Sequence, residues 1–231
     1  MPRADSSTTR VAASVRVGAG RRTRARAAEA ELHLAGTGSF AAEVAEWAQD
    51  AGWNVTRLIE LLDASRVGLV AGECEVAAPE SPRSASVRAA IALGGARRAH
   101  WSRLEPLGWR GATIVHPAAH VSRSAQLAEG CIIGPGATIG AQTTVGEHTL
   151  ISRGTLIGHH VEVGSFASLL PGVNVGGGAV LGDDVIVGMG AVILNGVRVD
   201  ARATVAAGAL VLSDVREGSR VQGLPAREYP G

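Results

Sequence analysis

The sequence has no lysine; all 22 of its basic residues are arginine. Against 21 acids they leave a net charge of +1, which gives no global reason to bind nucleic acid. Phe, Trp and Tyr together make up only 3% of the chain. A core short of large rings must be filled by small and branched side chains, which favours a tightly coiled β architecture over a helical bundle. The two cysteines, Cys74 and Cys131, stand far apart, so there is no disulfide framework and no paired-cysteine metal site. That usage fits a reducing cytoplasm. No apolar run approaches the roughly 20 residues of a membrane span.

What the chain has is glycine, 31 residues of it, and 46% apolar content over 231 residues. That length allows one large domain or two small ones. Residues 1–30 stand apart, with seven Arg against Asp5 and Glu29. They read as a disordered basic tail or a start codon placed too early, and an organelle transit peptide also fits the composition.

Residues 31–111 alternate strand and helix signals. Glu31 to Ala35 has a strand pattern and Gly36-Thr37-Gly38-Ser39 a turn. Val44, Trp47, Ala48 and Ala51 are spaced for a helix over 40–51, which Gly52 ends. Strands are expected over 55–62 and 87–93, and a second helix over 96–107. This is the order of a small Rossmann-like α/β domain with a parallel sheet.

From Val115 the period changes to six. Every sixth residue from Val115 to Val211, 17 in all, is Ile, Val or Leu. Chance would give this less than roughly once in 10^5. The fourth residue after each aliphatic is always Ala, Cys, Thr or Val, and Gly follows the aliphatic in eight repeats. A period of six fits neither an amphipathic helix nor a long strand. It fits a parallel β-helix over 112–231, each hexapeptide making one short strand and one corner. Glycine in the repeat is expected where corners need unusual dihedrals. Cys131 falls in the inward small-residue register and reads as core, and His116 and His120 read as caps on the start of the solenoid.

His116-Pro117-Ala118-Ala119, the hexapeptides, Gly158-His159 and Gly223-Leu224-Pro225-Ala226 resemble the NeuD/PglD-type acyltransferases. These are hexapeptide-repeat sialic acid O-acetyltransferases and nucleotide-amino-sugar N-acetyltransferases. Gly36-Thr37-Gly38, Gly94-Gly95-Ala96-Arg97-Arg98 and Leu107-Gly108 match in order, so the resemblance covers about residues 31–228. It implies a left-handed solenoid with three hexapeptides per coil, against the usual right-handed crossover. It also implies a homotrimer with acetyl-coenzyme A in the groove between subunits, and an N-terminal domain that holds a sugar or nucleotide-sugar acceptor. No metal is implied.

Acyl transfer from a thioester needs a base, a donor to the growing oxyanion and an in-line meeting of substrates. An imidazole, with an ordinary pKa of about 6.5, suits the first task, and a backbone N–H the second. By resemblance His159 is the base. The family follows it with Asp or Glu, where this chain has His160, which stands with His159 as a catalytic candidate; Glu162 or a residue of the next subunit is a candidate substitute for that carboxylate. Two more positions depart from the pattern: Ser152 stands where Asn is frequent, and Ser168 where a polar residue nine after the base is usual. By resemblance Ser152 faces the acceptor and Ser168 the cofactor. Gly176-Gly177-Gly178 lies one coil beyond His159, with the Gly177 N–H as oxyanion donor. Asn195 and Arg227 are candidate contacts to the pantetheine arm and a phosphate of coenzyme A. In the N-terminal domain, Gly36, Gly38 and Ser39 are candidates to cradle phosphate at a helix start, and Glu60 to bind a ribose hydroxyl. About 80 residues are too few for a full dinucleotide fold, which leaves a uridine-nucleotide cradle.

The leading expectation is acetyl transfer to the amino group of a nucleotide-linked sugar. Two alternatives stay open: transfer to a hydroxyl of a sialic acid or other small molecule, and a trimeric scaffold that has lost catalysis.

Overall fold

The structure is a computed structural model and describes residues 30–71 and 74–229; the basic segment, apart from Ala30, lies outside the described residues. Among those residues no helix is long and apolar enough to cross a membrane.

The chain opens with β1 (Glu31–Ala35), α1 (Ser39–Asp50), β2 (Asn54–Ile59), β3 (Val70–Ala71), β4 (Cys74–Ala77), β5 (Arg88–Ile91) and a short α2 (Arg97–Trp101). The sheet order is β3-β4-β2-β1-β5, parallel except for the β3–β4 pair. α1 buries Ala41, Val44, Trp47 and Ala48, the helical spacing read in the sequence. Two expectations need correction. The second helix stops at Trp101 rather than Leu107, since Pro106 removes an amide donor and restricts Glu105 before it; only a 3-10 turn, Glu105–Leu107, follows. The β3–β4 pair went unread because its strands are only two and four residues long.

From Ile114 to Val211 every hexapeptide contributes a two-residue strand, and each strand as far as Val192–Ile193 pairs in parallel with the one 18 residues on. The coil is therefore three hexapeptides, and its stack is a left-handed β-helix, a three-sided prism. The first face carries strands 120–121, 138–139, 156–157, 174–175, 192–193 and 210–211. The second carries 126–127 and its equivalents to 198–199, and the third carries 114–115 and its equivalents to 204–205. A terminal hairpin, Arg220–Gln222 with Arg227–Glu228, extends the third face.

The second residue of each strand and the small residue before the first point inward, forming one continuous core from Ala125 to Val221 that includes Cys131. Each such aliphatic contributes about 1.5–3 kcal/mol by burial. The role expected of the glycines is corrected in part. The eight that follow an aliphatic do not adopt a left-handed conformation. They are there because the next coil passes too close for a side chain: a Cβ on Gly158 would stand 2.7 Å from the Gly177 nitrogen. The left-handed position lies two residues later in the corner, and there a side chain is tolerated in several repeats, His148, His160 and Phe166 among them.

The N-terminal part covers the third face. Ile114, Ile132 and Leu150, which point outward from that face, join Val44, Trp47 and Ala48 of α1 in one core. Arg153–Glu43 at 2.7 Å and His116–Asp50 at 3.0 Å tie α1 to the prism at its margin; His116 thus anchors α1, and its Nδ1 also accepts the Ala118 N–H. At the corner between the second and third faces, α2 grips the solenoid. Arg97 is fully buried and donates to the carbonyls of His148, Ile91 and Leu93. His148 stacks between Trp101 and Phe166, and Arg98 lies over Phe166 while pairing with Asp183 and Asp184.

Candidate functional site

The corner between the first and second faces is the one that does not border the N-terminal part. His159 lies on it, exposed, directly after Gly158. Its Nδ1 is 3.0 Å from Nδ1 of His160, with the two rings nearly perpendicular at 87°. Nε2 of His159 is thus the nitrogen left for a reaction partner. The ring rests against Gly177 of the next coil, where a Cβ would come within 2.8 Å of both Nε2 and Cε1. Gly177 therefore makes room for the imidazole.

Among the described residues the Gly177 N–H donates to no acceptor, whereas Gly176 N–H donates to Ile193 O and Gly178 N–H to His159 O. The same place in other corners holds Pro135 and Pro171, so the fold does not need an N–H there. One coil further, the Asn195 side chain lies against Gly176. Beside this edge, on the first face, runs a groove of about 340 Å³ lined by Leu156, Gly158, Asn174, Gly176, Val192 and Asn195. Past its end the edge reaches a cleft shared by Leu212, Ser213 and the exposed Arg227. His159, His160, Gly176, Gly177, Asn195 and Arg227 are thus strung along one edge of the prism.

The remaining candidates are elsewhere. Ser168, expected beside the cofactor, points out from the third face and is 1% exposed beneath the N-terminal part. Its column, Leu150–Ser168–Ile186, is the face that the N-terminal part covers, so burial removes it from any cofactor groove within this chain. Ser152 is also buried, at the corner between the third and first faces. It lines a cavity of about 280 Å³ with Phe40, Arg153, Pro171 and Met189.

On the other flank of α1 lies a cavity of about 530 Å³, bounded by Thr37, Gly38, Ser39, Glu46, Gln49 and Cys74. No acid occupies the first turn of α1, so the positive end of the helix is open to an anion. Gly36 and Gly38 differ in role. Gly36, at φ +133°, is packed so that a Cβ would stand 2.8 Å from Ala92 O, a demand of the fold. Gly38 has no atom within 4 Å of that place, and the space beside it belongs to the cavity.

Glu60 corrects the ribose expectation. It is 5% exposed, and it accepts hydrogen bonds from Thr37 Oγ1 and from the N–H groups of Leu62 at 2.7 Å and Asp63 at 3.0 Å. Burial alone would raise its pKa. The bonds from Thr37, Leu62 and Asp63, with Arg66 nearby, outweigh burial and hold the carboxyl below its ordinary range. Glu60 staples the Gly36–Ser39 turn to the end of β2.

Glu46 and Gln49 were missed by sequence reasoning. Their signal was present: with Ala42 and Ala45 they make a small-and-polar stripe on the side of α1 opposite its buried residues. The groove residues Leu156, Asn174 and Val192 were legible in part: each stands just before an inward aliphatic and so points outward, and two of the three are apolar. Among the described residues no three His, Cys, Asp or Glu side chains are grouped to hold a metal ion.

No protein-family model and no curated protein matches the chain by sequence. Solved structures do match. The acetyltransferase domain of PglB from Neisseria gonorrhoeae FA1090 aligns with TM-score 0.78 at 24% identity, over 87% of this chain and 100% of that one. The same domain is also known in complex with acetyl coenzyme A. PerB from Caulobacter crescentus, in complex with CoA and GDP-perosamine, aligns with TM-score 0.67 at 25% identity over 87% and 97% of the two chains. WeeI from Acinetobacter baumannii AYE gives TM-score 0.75 at 19% identity over 86% and 99%. The fold here, an α/β part followed by a β-helix, is shared over nearly the full length of these proteins.

Proposed function

We propose that this chain is an acetyl-coenzyme A-dependent acyltransferase acting on the amino group of a nucleotide-linked sugar, with His159 as general base. The observation that carries the reading is the seat of His159. Its ring is held at an outward corner by a glycine that leaves room for it, with Nε2 free and an unused backbone N–H beside it.

In this reading Nε2 takes a proton as the acceptor amine attacks the thioester carbonyl. The new C–N bond forms, the oxyanion is received by the Gly177 N–H, and the C–S bond then breaks. The imidazolium returns its proton to the departing thiolate. Coenzyme A lies along the first-face groove, with Asn195 toward the pantetheine arm and Arg227 toward a phosphate. Gly38 and Ser39, at the start of α1, receive the phosphates of the acceptor, and the sugar extends toward Ser152. That PerB binds both CoA and GDP-perosamine supports the pairing of a thioester donor with a nucleotide-sugar acceptor.

The geometry also argues for a homotrimer. Within one chain, the acceptor cavities adjoin the third face, and His159 is on the opposite corner. The base of one chain reaches an acceptor only if that acceptor is held by a neighbour. A head-to-tail contact of this kind makes a ring when its rotation closes, and a closed ring of three is the assembly this reading takes. Exposed Leu156, Leu194 and Leu212 along the first face are the surface such a ring would cover. The setting that goes with the donor is the cytoplasm.

The test is thiol release from acetyl-coenzyme A with a panel of nucleotide amino sugars, wild type against His159→Ala. Loss of about 10²–10⁴-fold in the variant is expected; full turnover in the variant would remove His159 as base. Alkaline treatment of the product separates an amide, which survives, from an ester.

A further inference from the structure

We infer that His160 is the positioning residue of His159: its neutral ring takes the Nδ1–H of His159 at its own Nδ1 and so keeps the base in the tautomer whose Nε2 is bare. This rests on the reading of His159 as the base.

Two imidazole nitrogens 3.0 Å apart must share a single hydrogen, since two donors would repel and two acceptors would leave the contact unbonded. The pair can share it in two ways. If His160 donates, His159 carries its hydrogen on Nε2 and cannot accept another. If His159 donates, Nε2 is bare and His160 keeps its own hydrogen on its outer nitrogen, which faces water. An acceptor amine pointing an N–H at Nε2 selects the second arrangement. No proton is gained or lost in that choice; the shared hydrogen moves across the contact and the outer nitrogens exchange with solvent.

The backbone adds an independent argument. His160 sits at φ +55°, the left-handed corner position, which costs a residue with a side chain about 1–2 kcal/mol. Eight equivalent solenoid positions, Gly136, Gly154 and Gly178 among them, are glycine at that place. Of the side chains kept there, His148, Phe166 and Asp184 grip α2 and Arg202 pairs with Glu217, while Gln142 has no side-chain hydrogen bond among the described residues. His160 makes no such contact. Among the described residues its one side-chain hydrogen bond is to His159.

The electrostatics around the pair are sparse. Glu162 begins the adjoining strand, and the same corner place one coil away on either side holds Gln142 and Gly178. A neutral partner stabilises the imidazolium through a dipole, where a carboxylate would do so through a full charge.

The experiment combines tautomer spectra with three variants. Two-bond ¹H–¹⁵N spectra of histidine-labelled wild type should show His159 protonated at Nδ1 and bare at Nε2; His159 protonated at Nε2 would overturn the proposal. His160→Gly relieves the left-handed strain, so it should melt no lower than wild type yet turn over about 10- to 100-fold more slowly. His160→Asn, a neutral acceptor that tolerates this backbone, should restore most of the rate, and His160→Glu should move the acid limb to higher pH. Wild-type turnover in His160→Gly would sink the proposal. Wild-type protein that releases no thiol with any acceptor would instead defeat the reading of His159, and the tautomer spectra would still decide the pair.

Discussion

The imidazole of His159 and the Cα of Gly177 are in contact across adjacent coils, with the ring where a Gly177 side chain would be: a Cβ there would lie 2.8 Å from Nε2. Gly177 keeps an ordinary backbone conformation, so neither dihedral freedom nor coil spacing accounts for its being glycine.

Gly177→Ala should accordingly displace the ring and leave the solenoid standing. The expected outcome is a melting temperature close to wild type with turnover reduced by about 10²-fold, the cost of misplacing a reacting group by an ångström. Steady-state kinetics beside a thermal melt check it.

Gly164→Ala should do the reverse. Its Cβ would stand 2.6 Å from the Asp183 nitrogen on the next coil, at the corner between the second and third faces and away from His159. Prying two coils apart there should lower stability by about 1–3 kcal/mol, read by denaturant titration, with kinetics little changed in the folded fraction.

Glu60 and Thr37 should behave as one unit. Glu60→Gln and Thr37→Val each disturb the same buried bond, and each should lower stability by about 1–3 kcal/mol. The double variant should lose less than the sum, the mark of coupled sites. Because the folded carboxyl titrates below its ordinary value of 4.5, its contribution is complete above that pH and is lost as the pH falls through the lower folded value.

His148 sets a second acid sensitivity. Burial, and then the charge of Arg97, push its pKa down from 6.5 to about 3. The unfolded chain takes up a proton below pH 6.5 while the folded one refuses it, so stability is full above 6.5 and declines between 6.5 and 3. At pH 5 the loss should be about 2 kcal/mol. His148→Phe, which keeps a ring between Trp101 and Phe166, should flatten the stability–pH curve over that window in urea titrations.

The sequence by itself determined the solenoid. Every hexapeptide repeats the same local demand, an aliphatic and a small residue facing inward, so a pattern 17 units long leaves one architecture open. It also placed His159 at a corner; that Gly177 lies one coil on follows from three hexapeptides per coil, which the family resemblance implied and the pairing of strands 18 residues apart shows. Tertiary structure decided which faces of the prism stay free. Whether an outward residue such as Ser168 or Asn174 meets solvent depends on what docks over it, and the docking of α1 on the third face is a long-range event that no local pattern encodes. The same holds for Glu60, whose acidity and position after β2 suggested a ligand contact. Only the packed fold showed its carboxylate already engaged by Thr37 and two backbone amides. Periodicity fixes what points inward; what an outward group meets is settled by the pieces of chain that fold back over it.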